Sequence, residues 1–231
     1  MSNQQPPSTK MTSRKDGLLL AISRIKPGRI TPAAFETWYN DTHVADVLKT
    51  SGINSAARYH AANTPAYSEN WPFLALYPVP DVSFLASEEF KSVPIAIKSD
   101  LLEGERNCFD VAEFDIRQHR AVVDVNVGEW AAGPAGNILL VEFDSDIPEA
   151  DLEKTVNGWL EGSCLAKDAR HRVTIYKVTW SLLHPEEKLK ELPPYLATFE
   201  FGGDEDEYRD AINQIQLVGK VRQWRLNKAF S

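Results

Sequence analysis

Two successive runs of strand, helix, strand, strand, helix and strand character, joined by a Gly/Ala/Pro-rich stretch, predict an α+β protein of two tandem ferredoxin-like βαββαβ units. Three observations carry this. Short apolar runs bounded by Pro or Gly mark the strands, amphipathic segments with capping residues mark the helices, and the element order occurs twice. With 231 residues the chain is long enough to bury a substantial core.

Residues 18–25 (LLLAISRI) form the first strand, which Pro27-Gly28 ends. Thr31 and Pro32 supply an N-cap and a first-turn proline for a helix that runs to about Leu48, where Ser51-Gly52 stops it. Extended structure resumes over 53–61, and 73–79 (FLALYPV) is a strand bounded by prolines. A short helix is expected after Asp81, then a second helical piece through 95–102. Residues 108–117 (CFDVAEFDIR) alternate as a half-buried strand does.

The order then restarts. Residues 138–143 (ILLVEF) mirror the first strand, Ile147-Pro148 opens a helix containing Trp159 and Leu160, and 172–181 and 195–201 read as strands. A helix is expected over 204–217 and a last strand over 220–226. The expected organisation is a disordered tail over 1–16, a first half over 17–126, a linker over 127–136 and a second half over 137–231. A four-stranded sheet with helices on one face leaves its other face bare, and two such units cover each other by packing sheet against sheet.

Acidic residues outnumber basic ones, 33 to 25, and the basic residues form no cluster, so a nucleic-acid groove is not expected. The two cysteines, Cys108 and Cys164, follow no CxxC pattern, which points to a reducing, cytoplasmic setting rather than a disulfide framework or zinc site. The polar first sixteen residues lack the apolar stretch of a signal peptide, and no apolar run is long enough to span a bilayer. Neither a dinucleotide-binding glycine pattern, a P-loop nor a nucleophile elbow occurs.

The helix over 32–48 carries an unusual polar set. At about 100° per residue, Phe35, Trp38, Tyr39, Thr42, His43 and Asp46 share one side, while Glu36, Asn40 and Asp41 lie outside it. Tyr39 and His43 are i and i+4 neighbours, and His43 and Asp46 are i and i+3. A phenol, an imidazole and a carboxylate on a core-facing side are costly unless they satisfy one another or meet a ligand. A structural histidine bonded to a backbone carbonyl or to Asp46 is the plain alternative. His43 and Asp46 lack a third ligand partner, and His119, His171 and His184 show no ligand spacing, so no metal is assigned.

Phe35, Trp38, Tyr39 and His43, followed by Asp46-Val47-Leu48, Gly52 and Ala57-Arg58-Tyr59, resemble the pattern of the EthD-like family of the dimeric α+β barrel superfamily, here in a tandem fused form. The resemblance covers the first half in sequence and the second half in topology alone. It implies that the two units form an intramolecular α+β barrel, with a pocket between the first helix and its sheet. It also implies a small hydrophobic substrate of aromatic or polyketide type and chemistry without a cofactor. His43 would move a proton, Tyr39 would hydrogen-bond a carbonyl or enolate, and Asp46 would orient the imidazole. Phe35, Trp38 and Trp71 would wall the site against water. Arg58 and His60 occupy one strand face and Tyr59 the other, so either Arg58 or Tyr59 can line the pocket.

In the second half, placing Trp159 opposite Trp38 puts Leu160 at the position of Tyr39 and Cys164 at that of His43. The proton-handling set is missing there, which argues for one pocket, in the first half. The expected activity is that of a cofactor-independent lyase or isomerase on a small hydrophobic oxygenated metabolite of secondary metabolism. A non-catalytic ligand-binding or stress-associated protein is the first alternative, and a cofactorless monooxygenase the second. Because one chain carries both halves, a monomer is the baseline and a homodimer is compatible with it.

Overall fold

The computed structural model describes residues 16–62, 71–97, 106–127, 133–144, 148–162, 171–183, 186–201 and 220–231. Eight strands close into an antiparallel barrel. They are β1 (Gly17–Ile25), β2 (Ala56–Ala61), β3 (Phe73–Val79), β6 (Ala112–Val127), β7 (Asn137–Phe143), β8 (His171–Ser181), β9 (Tyr195–Phe201) and β10 (Lys220–Phe230). Their order around the barrel is β1-β3-β2-β10-β7-β9-β8-β6, with β6 returning to β1. A separate two-stranded ribbon pairs β4 (Ala96–Ile97) with β5 (Arg106–Asn107).

The barrel that the resemblance implies is present, closed edge to edge instead of by two stacked sheets. The edge strands of the two halves hydrogen-bond directly, β2 to β10 and β6 to β8, which removes free edges and turns the inner faces into a lumen. Its apolar belt includes Leu18, Leu20, Ile22, Leu74, Leu140, Leu196 and Trp224. Arg117 of β6 is held by Asp115 of the same strand at 2.7 Å and reaches Glu142 of β7 at 3.1 Å, which ties β6 to β7.

Outside the barrel, the first half is covered by one bent helical segment. It consists of α1 (Pro32–Trp38), a π-helical turn over Tyr39–His43, and α2 (Val44–Leu48). The Thr31 hydroxyl caps it by accepting from the Ala34 amide at 3.2 Å, and Pro32 occupies the first turn. Phe35 and Trp38 are buried before the π turn, Tyr39 at its start, and Val44 and Val47 after it. They rest on Leu19, Ala21, Phe73, Ala75, Tyr77 and Phe114 of the outer sheet face. Gly52, just beyond the helix, has no left-handed backbone to explain it. The Phe84 ring lies so close that a Cβ would come within 2.1 Å of it.

Three sequence expectations change. Residues 108–111 are not strand: α4 (Cys108–Val111) is a helical turn closed by a capping box between Asn107 and Asp110, and β6 starts only at Ala112. Ala96–Ile97, expected within a helical piece, is extended because it pairs with Arg106–Asn107. The second strand begins at Ala56 rather than residue 53. On the second half, α5 (Leu152–Gly162) places Leu152 and Val156 over Leu139, Val141, Val173 and Ile175. The expected helix over 204–217 lies outside the described residues, as does Cys164.

Candidate active site

The helix and the outer face of β1, β3 and β2 bring five of the named residues into contact. Trp38, only 1% exposed, donates from Nε1 to the Ala96 carbonyl at 3.1 Å, so the β4–β5 ribbon fixes its indole. The His43 ring stacks on that indole at 5.2 Å and meets the Tyr39 ring edge-on at 5.1 Å. Phe35 closes the back, 5.8 Å from Trp38 and 5.7 Å from Tyr39. Arg58 reaches the same cluster from β2, its Cζ 3.6 Å from the Tyr39 ring centre.

The π turn sets this geometry. The Val44 amide bonds the Tyr39 carbonyl, five residues back, instead of the Asn40 carbonyl four back. The extra residue keeps Tyr39 and His43 in contact while returning Val44 and Val47 to the core, which an uninterrupted α-helix would not do.

His43 Nδ1 lies 3.3 Å from the Pro94 carbonyl. The tautomer protonated at Nδ1 donates to that oxygen and leaves the Nε2 lone pair to accept a proton. Burial lowers the His43 pKa to about 4; the Pro94 contact opposes this, Arg58 adds to it, and Asp46 opposes it again. The ring is therefore neutral near pH 7. Burial raises the Tyr39 pKa against the pull of Arg58, so the phenol keeps its proton and remains a donor.

Arg58 is the electrostatic anomaly of the site. It is 1% exposed, and Nε, Nη1 and Nη2 make no hydrogen bond among the described residues. Burying an unpaired guanidinium costs several kcal/mol, whereas a desolvated cation–π contact returns about 2 kcal/mol. The Tyr77 hydroxyl on the same sheet face is also buried, next to that of Tyr39. A buried cation beside two protonated phenols and a neutral imidazole is suited to an anionic or oxyanion-forming ligand.

The other named residues lie elsewhere. The Asp46 carboxylate bonds Lys49 at 2.7 Å, and the contact to His43 Nδ1 comes from Pro94. Trp71 lies under Arg24, 4.9 Å from its ring centre, and packs with the lumen cluster. Tyr59 points into the lumen with Leu74, opposite to Arg58. Two neighbours of the site were missed from the sequence. Tyr77 was legible from the alternation of β3, which puts residues 73, 75 and 77 on one face. Pro94, in a connection without periodicity, gave no signal.

No family model matches the chain. "Core atranone cluster (CAC) protein 1" of Stachybotrys chlorohalonatus is 25% identical over 194 residues, covering 80% of this chain and 81% of that protein. Among solved structures, an anthrone oxidase-like protein aligns with a TM-score of 0.54 at 10% identity, over 93% of this chain and 92% of its own. A chlorite dismutase-like protein aligns at 0.53 and 10% identity, over 92% and 95%. These neighbours are α+β barrel proteins, and this chain has their fold. No helix among the described residues is long and apolar enough to cross a membrane.

Proposed function

We propose that this chain is an enzyme of secondary metabolism, a cofactor-independent lyase or isomerase acting on a small hydrophobic oxygenated metabolite. The observation that carries the reading is the buried Arg58 guanidinium, without an acceptor among the described residues, against the Tyr39 ring that His43 also meets. Its relationship to an atranone-cluster protein supports the metabolic setting.

In the proposed mechanism the substrate places a carbonyl or enolic oxygen on Arg58, with the Tyr39 hydroxyl as a further donor. His43 Nε2 removes a proton from the carbon beside that carbonyl, and the resulting enolate is held by Arg58. Returning the proton to another carbon completes an isomerisation; delivering it to a departing hydroxyl completes a dehydration. The Arg58 charge lowers the His43 pKa. An oxyanion on Arg58 offsets that charge and moves the His43 pKa upward, so the base strengthens when the substrate is in place. Phe35 and Trp38 exclude water, and Asp46 acts through its field.

The reading extends to family and assembly. It treats the chain as a tandem EthD-like protein whose halves, 17–126 and 137–231, are ferredoxin-like units. The strand order supports this, running fourth, first, third, second in each half. The chain is then a cytoplasmic monomer with one active site.

Purified protein incubated with candidate polyketide and terpenoid intermediates, followed by mass change, tests the activity. Loss of turnover in both His43→Gln and Arg58→Met with binding retained in His43→Gln is the expected result. Full turnover by a folded His43→Gln variant would refute the acid/base role. Ligand binding without turnover in the wild-type protein would mark a binding protein, and oxygen uptake during turnover a cofactorless oxygenase.

A further inference from the structure

The lumen holds a cavity, on the opposite face of β2 from the candidate active site. Its volume is about 720 Å³, and it opens at the end of the barrel where β1 begins at Gly17. Pockets of about 300–1,000 Å³ accommodate drug-sized ligands. One wall is apolar, formed by Leu18, Ala57, Leu76 and Ile138. The facing wall comes from β8 and β9 and is polar, with Thr174, Tyr176, Thr198, Arg172 and Glu200. The second half thus directs its polar chemistry inward.

Glu200 anchors that wall, its carboxylate gripped by Arg172 through Nε at 2.9 Å and through Nη2. Tyr59, 1% exposed, lines the cavity from β2. Burial, reinforced by Glu200, raises the pKa of Tyr59 and Tyr176, so both phenols stay protonated. Asp16 and Asp124 also line the space, so acidic groups exceed the single lining arginine.

We infer that this lumen cavity binds an uncharged, mainly apolar molecule bearing a carbonyl or hydroxyl oxygen, which accepts a hydrogen bond from Tyr59. The apolar wall of the first half receives the body of the molecule. The acidic surplus at the mouth disfavours anions, opposite to the preference of the Arg58 site. Because Arg58 and Tyr59 project to opposite sides of one strand, the two sites are separable by substitution.

Fluorescence titration of the full chain with prodan, an uncharged naphthyl ketone whose emission reports hydrogen bonding to its carbonyl, tests this. Saturable binding is expected, with anilinonaphthalene sulfonate, an anion, bound more than about tenfold more weakly. Tyr59→Phe, which keeps the ring and removes the donor, should weaken prodan about fivefold and blue-shift its bound emission. Ala57→Leu, which adds bulk to the apolar wall, should weaken binding, while Arg58→Met should leave it intact. Absence of saturable prodan binding, binding indifferent to Tyr59→Phe, or loss of binding in a folded Arg58→Met variant would each overturn the assignment. These outcomes are independent of whether the Arg58 site is catalytic.

Discussion

The guanidinium carbon of Arg58 lies 3.6 Å from the ring centre of Tyr39, and its three nitrogens find no acceptor among the described residues. A group so placed lowers the stability of the fold, and in the proposed mechanism it holds an oxyanion. Arg58→Met should therefore raise stability by about 1–3 kcal/mol in denaturant unfolding while lowering kcat/KM by at least about 100-fold. A variant that is both less stable and fully active would contradict this.

Acid should destabilise the protein through its histidines. Burial holds His43 near pKa 4 and His119 near 3, both below the ordinary 6.5. The unfolded chain then binds more protons as pH falls below about 6.5, so stability is greatest above that value. The loss levels off below about 4 for His43 and about 3 for His119. Thermal melts between pH 7.5 and 4.5 should show Tm falling with pH, with a shallower fall in His43→Gln by on the order of 2 kcal/mol at the acid end. The kcat/KM profile should stay flat near neutrality and lose activity on an acidic limb.

Asp46 is oriented by Lys49. Asp46→Asn should cost less than about 0.5 kcal/mol of stability, as exposed pairs of this type do, and reduce kcat/KM by no more than about threefold. A loss comparable to that of His43→Gln would instead place the carboxylate in direct contact with the imidazole during turnover.

Gly52 serves the close approach of Phe84. Gly52→Ala should destabilise by about 1–3 kcal/mol, since the ring must shift within a packed layer, and pairing it with Phe84→Leu should recover part of the loss. Equal losses in the single and double variants would exclude the contact as the cause.

The strands that bury one or both faces were readable because burial writes a pattern. Residues 73–79 and 195–201 were delimited from the sequence to the residue. Local capping competed successfully with alternation at Cys108–Val111, where Asn107 and Asp110 close a capping box that a period-two reading overlooks. Tyr39 and His43 were placed together correctly, but not for the reason given. A helical wheel assumes uniform turns, and the π turn over Tyr39–His43 shifts everything after it, which is why Asp46 leaves the cluster and Val47 enters the core. That Arg58 rather than Tyr59 faces the helix depended on strand register, a long-range property.

The sixteen-residue strand β6 has a mechanical consequence. It pairs with β1 through Ala112 to Arg120 and with β8 through Arg117 to Val127, so four of its residues are bonded on both sides, to opposite halves of the chain. Neither half can peel away without breaking ladders that belong to the other. Amide exchange along β6 should therefore proceed through whole-molecule opening, making it the slowest-exchanging strand and binding the fate of the Arg58 cluster to that of the lumen.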